Sequence, residues 1–431
     1  MPPVLGIDFG TTNTVLALLH PDGRTTTARF GSQDMFRTVL CFWAENYGRS
    51  AAQGNQSGGS RLRQAAGPAA IEAYLDDPLD SRLIMSMKTY LAQRSFSDTN
   101  IFGRRFTLET LIATFLQSFL AAAQVDSAGL RVIAGRPVRF AGERTDDDFG
   151  ELRLRAAFAE AGMAAIDVAL EPEGAGYRFA RTLAAPATVL IGDFGGGTSD
   201  FSVLRFVPGK GVQPLGHAGV GIAGDVFDYR IIDQVISPRL GKGGTYRVMG
   251  GAALPVPPEW YSSFARWHRL SLMRNPRTLR EMREVMRDAR DPHRLANLIA
   301  LIEDELGYRL YQTVSAAKAA LSSAESTRLT FRHKELDIDT TITRDQFEGW
   351  IAPDIAQFAA AVDRVMEQAA VTGVDHVFLT GGTSFVPAVR RLFDARFGAE
   401  RVSTGGEFVS VAEGLALIGR DRAAGFSAHG R

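Results

Sequence analysis

The stretch VLGIDFGTTNTVLAL, residues 4–18, returns in altered form as VLIGDFGGGTSDFSVL at residues 189–204. Each copy reads as an apolar strand that ends in Asp-Phe-Gly, a short turn of glycine and hydroxyl residues, and a second apolar strand. Glycines let a backbone approach phosphate groups closely, and the amides of such a turn can donate hydrogen bonds to phosphate oxygens. The Asp of each copy, Asp8 or Asp193, carries a charge that suits Mg²⁺ held through water. The repeat predicts two similar lobes that hold a nucleotide's phosphates between them.

Strand and helix patterns alternate around both copies, which predicts an α/β fold with a parallel or mixed sheet in each half. In the first half, strand patterns at 38–43 and 130–135 flank a helical pattern over 107–125, and TDDD at 145–148 indicates a helix start. Residues 48–67 are rich in Gly, Ser, Gln and Ala and predict a loop or a loosely packed edge. In the second half, apolar residues at three-to-four spacing from Leu295 to Leu321 predict one long helix. A third glycine-rich turn, LTGGTSFVP at 379–387, suits a contact with a nucleoside.

The composition excludes several classes of protein. A chain of 431 residues with 45% apolar residues is globular and long enough for about two to three domains. The 48 basic and 48 acidic residues cancel, which argues against a general binder of nucleic acids or membranes. The nine arginines of residues 264–295 are interpreted as a solvated helix face rather than a nucleic-acid surface, because Trp267 alone is interleaved with them.

The cysteine and histidine content bears on redox compartment and on metal binding. Cys41 is the one cysteine, so an internal disulfide is excluded, and the seven histidines show no metal-ligand spacing. The sequence shows no signal-peptide pattern and no long apolar run. These features predict a cytoplasmic protein.

The ordered set of motifs resembles that of the actin-like ATPase superfamily and, within it, the heat-shock protein 70 (DnaK-type) family. GIDFGTTNT and GDFGGGTSDFSV resemble the family's two phosphate motifs, and EPEGAGYRFA resembles its connecting motif. GIAGDVFDYRI, SAAKAALSS and LTGGTSFVPAVRRLF resemble a helix start, the helix that touches adenine, and the adenosine motif. The resemblance runs from residue 4 to about residue 419. It implies two ribonuclease H-like cores that flank a nucleotide cleft, with ATP or ADP and Mg²⁺ as cofactors.

The resemblance also implies roles for single residues. Asp8 and Asp193 match the carboxylates that hold Mg²⁺ through water, and Asp200 matches a further acid of that site. Lys88 matches the cation beside the γ-phosphate, and Glu171 matches the acid near the attacking water. Asp193 is implied in catalysis as well as in metal binding. The positions that match nucleotide contacts, of which Thr198 is also implied in catalysis, are Gly10, Thr11, Thr12, Asn13, Gly195, Gly196, Gly197, Thr198, Gly224, Asp225, Lys318, Ser322, Gly381, Gly382, Thr383 and Phe385.

Three positions depart from the family's pattern around the adenine. Ser315 stands where an acid is usual, and Ala319 stands where an arginine is usual. Phe385 replaces the arginine of the adenosine motif, and its ring could stack on a base or pack against the protein. Base preference and affinity are therefore open.

The resemblance implies a division into lobe I, residues 1–187, with a subdomain inserted at about 37–107, and lobe II, residues 188–431, with a helical subdomain inserted at about 235–324. The final helix is expected to pack back on lobe I. The family's linker and peptide-binding domain do not follow before Arg431, so we expect a nucleotide-binding part alone, as in short, YegD-like relatives.

These inferences predict an ATP-binding, chaperone-like monomer that hydrolyses ATP slowly with Mg²⁺ and acts on an unidentified protein partner or client. Nucleic acids and membranes are not expected partners. Two alternatives stay open. A small-molecule kinase on the same fold would show turnover that rises when a sugar or polyol is added. The other alternative is a nucleotide-gated scaffold or an actin-like filament protein. If the protein forms filaments, its light scattering should rise with ATP.

Overall fold

The computed structural model describes residues 2–45, 61–142, 145–207, 211–248, 251–266, 273–405 and 409–424. The chain forms two compact units: a larger unit of Met1–Ala223 with Ala356–Arg431, and a smaller unit of Gly224–Ile355. The lobe boundary predicted after residue 187 is a different division of the chain, and it stays a prediction. Most of the segment at 48–67, predicted as a loop or a loosely packed edge, and part of the basic stretch at 264–295, with Trp267, lie outside the described residues. The described part of that segment contains a strand, Arg61–Ala66, at the edge of a three-stranded sheet, so a loop is wrong there.

The described residues form twenty strands in chain order. Their bounds are β1 Val4–Phe9, β2 Asn13–Leu19, β3 Thr25–Thr27, β4 Phe36–Arg37, β5 Val39–Glu45, β6 Arg61–Ala66, β7 Ser81–Met85, β8 Asp98–Ile101, β9 Arg104–Thr107, β10 Arg131–Arg136, β11 Ile166–Leu170, β12 Ala187–Phe194, β13 Ser199–Val207, β14 Gly211–Val220, β15 Thr245–Arg247, β16 Ala253–Pro255, β17 Ser326–His333, β18 Leu336–Thr343, β19 His376–Thr380 and β20 Val402–Thr404.

The same residues form twelve α-helices, with short 3₁₀ turns at Met87–Tyr90, Ser237–Leu240 and Gly382–Phe385 and a π turn at Ile232–Ile236. The helices are α1 Pro68–Asp76, α2 Leu108–Ala122, α3 Asp147–Glu160, α4 Glu171–Ala180, α5 Gly224–Ile231, α6 Pro258–Phe264, α7 Pro276–Arg287, α8 Pro292–Glu303, α9 Gly307–Leu321, α10 Arg344–Gln368, α11 Pro387–Phe397 and α12 Ser410–Ala423.

The larger unit contains the same sheet twice. The first sheet has the order β11-β10-β1-β2-β3, with β4 beside β2, and the second has the order β20-β19-β12-β13-β14. In each sheet an antiparallel meander of three strands is extended by two strands parallel to the first strand of the meander. These are the two ribonuclease H-like cores, so the α/β fold class predicted from the repeat is confirmed.

Helices cover the first sheet on both faces, which is why five of the six residues of β1 are buried rather than every second one. One face of β1 packs with α2 and α3 in a core that includes Leu5, Phe115 and Phe158. The other face joins a second core that includes Val4 of the first sheet and Ile191 of the second sheet. This second core also holds α4 and α12, so the two sheets of the larger unit share one hydrophobic interior.

The final helix α12 lies very close to α4 and to β1. A Cβ placed on Gly414 of α12 would lie 1.6 Å from the carbonyl oxygen of Gly174 in α4. A Cβ placed on Gly6 of β1 would lie 2.1 Å from the carbonyl oxygen of Ala412. Glycine is therefore required at these crossings because the backbones themselves are in contact. α4 follows β11 of the first sheet and α12 packs on β1, so these crossings fix the helices that cover both sheets.

The single helix predicted from Leu295 to Leu321 is wrong, because the structure has two helices there, α8 and α9. Glu305, between them, adopts a left-handed backbone conformation with φ of 51°. The Asp304 carboxylate accepts hydrogen bonds from His333 and Lys334 of the β17–β18 hairpin. The apolar spacing continues across the break because both helices bury side chains, and periodicity alone does not reveal such a turn.

The crossing of α4 and α12 can be tested with Gly414→Ala. We expect the variant to lose about 1–3 kcal/mol of unfolding free energy, since the added methyl must push two helix backbones apart. The measurement is the urea midpoint of the larger unit's unfolding. Gly373→Ala is the matched control, because a Cβ there meets nothing within 4 Å, and it should stay within about 0.5 kcal/mol of the parent. Equal midpoints for the two variants would contradict the crossing.

Candidate functional site

The first hairpin places Asp8 near the end of β1, where it pairs with Val15 of β2. The turn at Gly10 is so tight that a Cβ there would lie 2.2 Å from the carbonyl oxygen of Asn13. Thr11 is buried and Thr12 is partly exposed. The turn therefore presents backbone and small side chains, as a phosphate contact requires.

Residues outside the hairpin support the first turn. The Thr38 amide donates to the Thr12 carbonyl at 2.9 Å, and the Arg37 guanidinium donates to Asn13 Oδ1 at 3.2 Å. The hydroxyls of Thr14 and Thr38 share a buried hydrogen bond of 2.8 Å. Sequence reasoning missed Arg37, whose one signal is a charged residue placed directly before the apolar strand TVLCFW.

The second hairpin has the same form. Asp193 of β12 lies directly opposite Asp200 of β13, and the Gly195 amide donates to the Thr198 carbonyl at 2.9 Å across the turn. Gly195 is exposed, and Gly196, Gly197 and Thr198 are partly exposed. The hydroxyl of Ser199 donates to the Ile222 carbonyl at 2.7 Å, which fixes the base of the turn.

The two turns lie against each other within the larger unit. A Cβ placed on Gly197 would lie 3.2 Å from the hydroxyl oxygen of Thr11. The structure thus brings together two motifs that are separated by about half the chain. A ligand that contacts one turn can also reach the other.

Lys88 and Glu171 form an ion pair beside the hairpins. Lys88 lies in the 3₁₀ turn Met87–Tyr90, and Glu171 is the first residue of α4, directly after β11. Each residue is 6% exposed. A Cβ on Gly135 of β10 would lie 3.0 Å from Cγ of Glu171, so a glycine in the neighbouring strand leaves room for this side chain.

Electrostatic coupling joins this pair to the three aspartates. Burial and the nearby Glu171 carboxylate raise the pKa of Asp8 to about 7, against the opposing effect of Lys88. Burial, followed by Glu171, Asp8 and Asp200, raises the pKa of Asp193 well above its usual value. Burial opposes the charged form of Lys88, but Glu171 and Asp8 outweigh it and raise the pKa of that ammonium. Four carboxylates and one ammonium group are thus electrostatically coupled.

Asp200 is the most deeply buried carboxylate of this cluster. Its Oδ1 accepts hydrogen bonds from the Val138 amide at 2.8 Å and the Arg139 amide at 3.3 Å. Burial and the Glu171 carboxylate raise its pKa to about 7, although the Thr198 hydroxyl and these amides favour the ionised form. Asp200 therefore links the second hairpin to the loop after β10 of the first sheet.

The cluster fits a divalent cation that keeps its water shell. Carboxylate oxygens are the donors that Mg²⁺ prefers, and the excess of negative charge calls for a cation. Within the ranges that the structure describes, no three His, Cys, Asp or Glu side chains are grouped closely enough to ligate one ion directly. Asp8 and Asp193 are partly exposed, whereas Glu171 and Asp200 are buried, so the two exposed carboxylates are the ones that a hydrated ion can reach.

The third glycine-rich turn follows β19 and adjoins the second hairpin. Thr380 pairs with Asp193 in the parallel ladder, and a Cβ on Gly381 would lie 2.0 Å from the carbonyl oxygen of Phe194. Thr383 is buried, and Gly382 is exposed. The Phe385 side chain is 47% exposed, so it does not contribute to the core.

The remaining predicted contacts lie in the smaller unit. Gly224 and Asp225 begin α5, while Lys318 and Ser322 lie at the end of α9. The Lys318 ammonium donates to Asp228 Oδ2 at 2.7 Å and to the Gly224 carbonyl at 3.0 Å. These four predicted positions therefore lie on or beside α5 and α9, and Lys318 forms its ion pair within the smaller unit. Sequence reasoning did not single out Asp228, although it lies in the quoted motif GIAGDVFDYRI.

The family model and the relatives that match this chain all point to the Hsp70 family. A family model described as Hsp70 protein matches residues 294–421. The chaperone protein HscA homolog of Pseudomonas fluorescens is 24% identical over 416 residues, which cover 92% of this chain and 54% of that protein. The chaperone proteins DnaK of Thermotoga neapolitana and Thermotoga maritima are 23% and 24% identical over 96% of this chain and 58% of their own length.

These matches confirm the relationship to the Hsp70 family that the motifs predicted. The chain spans somewhat more than half the length of the relatives it matches. Among the described helices, none has the length and apolar character needed to cross a membrane.

The raised carboxyl pKa values predict how stability depends on pH. The folded protein binds the Asp8 proton more tightly than the unfolded chain does. The contribution of this proton to the unfolding free energy is therefore present at low pH and is lost as the pH rises from 3.8 to about 7. The substitution Asp8→Asn removes the titrating carboxyl group, so the variant does not lose this stability as the pH rises. We expect the variant to exceed the parent in unfolding free energy by a few kcal/mol at pH 8 and to match it near pH 4, since one pKa unit is worth about 1.4 kcal/mol.

The measurement is urea unfolding in a chelating buffer at several pH values. Asp98→Asn is the control, because hydrogen bonds from Arg105 and Ser97 lower the pKa of that carboxyl. Its difference from the parent should therefore stay constant between about pH 5 and pH 8. A constant difference for Asp8→Asn as well would show that burial and the Glu171 carboxylate do not raise the pKa of Asp8.

Proposed function

We propose that this chain, a relative of the Hsp70 proteins, binds ATP with Mg²⁺ at its two hairpins, hydrolyses it slowly, and uses the nucleotide state in a chaperone-like role. The observation that carries the proposal is the contact between the two glycine-rich turns beside four carboxylates and one buried lysine. Phosphate oxygens need amide donors and cations, and this part of the larger unit offers turn amides, Lys88 and carboxylates that suit a hydrated ion.

The residues have distinct roles in the proposed reaction. The turns Gly10–Asn13 and Gly195–Thr198 would hold the phosphates through backbone amides and hydroxyls. Asp8 and Asp193 would hold the hydrated Mg²⁺, which supplies neutralisation of phosphate charge when bound. The Lys88 ammonium would lie against the γ-phosphate, where charge develops during transfer to water.

Glu171 has two functions in this proposal. Its ion pair keeps Lys88 charged while the side chain is buried. When a γ-phosphate takes the ammonium, the carboxylate is released to accept a hydrogen bond from a water molecule and to orient it for attack. Asp200, held by the Val138 and Arg139 amides, keeps the second hairpin aligned with the first sheet.

The chaperone-like part of the proposal comes from the relatives. The matched proteins are named chaperones, and this chain matches somewhat more than half of their length. The partner or client would be a protein that distinguishes the nucleotide-bound form from the free form. The exposed ring of Phe385, beside the second hairpin, is the candidate for the base contact where the family has an arginine.

Nucleotide binding can be tested by thermal unfolding. Mg²⁺-ATP should raise the melting temperature, because a ligand at one hundred times its Kd adds about 2.7 kcal/mol to the native state. Asp193→Ala should remove most of the difference between ATP with Mg²⁺ and ATP with a chelator. An unchanged melting temperature, together with no calorimetric heat at millimolar ATP, would refute nucleotide binding.

Hydrolysis can be tested with Lys88→Ala. Loss of one group that stabilises transition-state charge costs about 2.7–4 kcal/mol, so single-turnover hydrolysis should slow by about a hundredfold or more. The Kd for Mg²⁺-ATP should change little, because the turn amides and the metal site remain. Lys242→Ala is the control, since Lys242 pairs with Asp233 in the smaller unit.

Three outcomes separate the alternatives. If Lys88→Ala and the parent hydrolyse ATP at equal rates, Lys88 has no role in phosphoryl transfer to water. Turnover that rises severalfold on adding a sugar or polyol would replace the proposal with a small-molecule kinase. Light scattering that rises with ATP would favour a filament-forming protein.

A further inference from the structure

The segment that carries Lys88 has little rigidity of its own. Lys88 lies in a single 3₁₀ turn, Met87–Tyr90, and the preceding Ser86 has a left-handed backbone conformation with φ of 54°. One 3₁₀ turn has few internal hydrogen bonds and poor hydrogen-bond geometry. The position of the lysine therefore depends on contacts that the turn makes with its surroundings.

Arg153 of α3 supplies such a contact. Its Nη1 donates to the carbonyl oxygen of Tyr90, the last residue of the turn, at 3.3 Å, and to the carbonyl oxygen of Phe96 at 2.9 Å. Its Nε and Nη2 donate to the two carboxylate oxygens of Glu109 in α2. The guanidinium carbon also lies 5.3 Å from the centre of the Phe149 ring.

Arg153 thus joins Glu109 of α2 to the carbonyl oxygens of Tyr90 and Phe96, and we call this arrangement the Arg153 clamp. The residue is 4% exposed, and its guanidinium uses both edges, one for the Glu109 carboxylate and one for backbone carbonyls. The planar fork of arginine fixes these directions, and a lysine ammonium cannot reproduce them. Burying an ion pair contributes little net stability, so a role in fixing one conformation is a reasonable function for it.

We propose that Arg153 is a positioning residue for Lys88: with Glu109, it holds the Met87–Tyr90 turn so that the lysine stays against Glu171. The placement of Lys88 can be measured without nucleotide, and the effect on hydrolysis rests on the proposed function. The resemblance to known motifs did not indicate Arg153, which lies outside every motif quoted for it.

The first experiment measures the accessibility of Lys88 without any ligand. Amine acetylation followed by mass spectrometry gives the labelling rate of each lysine, and Lys242, Lys318 and Lys334 serve as internal references. In Arg153→Lys, Lys88 labelling should rise about tenfold, as expected when a charged hydrogen-bond network is lost, while the references stay unchanged. Arg155→Lys is the matched control, because Arg155 lies on the same helix and bonds Glu151 and the Ile166 carbonyl.

The second experiment is a double-mutant cycle on single-turnover hydrolysis. Arg153→Lys should slow hydrolysis about tenfold with little change in the Kd for Mg²⁺-ATP. The same substitution should have no further effect in the Lys88→Ala background, because it acts through Lys88. A residue that is merely structural would slow both backgrounds equally.

The outcomes distinguish this proposal from the proposed function. Unchanged Lys88 labelling in Arg153→Lys overturns the clamp, whether or not ATP is hydrolysed. Increased labelling at Lys88 alone supports the clamp even if the parent binds no nucleotide, in which case the proposed function fails separately. If all lysines become reactive because Arg153→Lys does not fold, Glu109→Gln provides the second variant, and unchanged Lys88 labelling there overturns the proposal.

Discussion

The buried ion pair between Lys88 and Glu171 is the interaction on which the site depends. Without the ammonium group, Glu171 and three aspartates would face one another with no compensating charge. Burial, followed by the Glu171 carboxylate, raises the pKa of Asp8 and of Asp200 to about 7, so both carboxyl groups resist ionisation. A site that is poorly compensated when empty gains most when a cation binds, and this is the physical basis for proposing a hydrated metal ion there.

The repeated sheet explains how such a cluster can be assembled. Asp8 and Asp193 take equivalent places in two copies of one topology, and the shared core with α4 and α12 holds the two copies together. α4 contributes to the charged cluster and to the shared core, since its first residue is Glu171 and its Gly174 contacts Gly414 of α12. Packing in the interior of the larger unit therefore governs the distances between the charged groups at the hairpins.

The parts of this fold that are encoded locally could be predicted from the sequence. The two hairpins were recognisable because an apolar strand, an Asp and a glycine-rich turn are adjacent in the chain. The break between α8 and α9 was missed because Glu305 changes the backbone direction without changing the apolar spacing. The bonds from Asp200 to Val138 and Arg139, and from Arg153 to Tyr90, join residues about sixty positions apart, which no local pattern specifies. Lys88 and Glu171 were each singled out only through a family resemblance, which did not predict their ion pair, and their roles in catalysis stay predictions.

We propose that the two turns and Lys88 together hold a nucleotide's phosphates. A crystal structure with Mg²⁺ and a non-hydrolysable ATP analogue tests it most directly. We expect phosphate oxygens in contact with both turns, a metal ion linked to Asp8 and Asp193 through water, and the Lys88 ammonium within hydrogen-bond distance of the γ-phosphate. A nucleotide bound elsewhere, or phosphates that touch neither turn while Lys88 remains paired with Glu171, would contradict it.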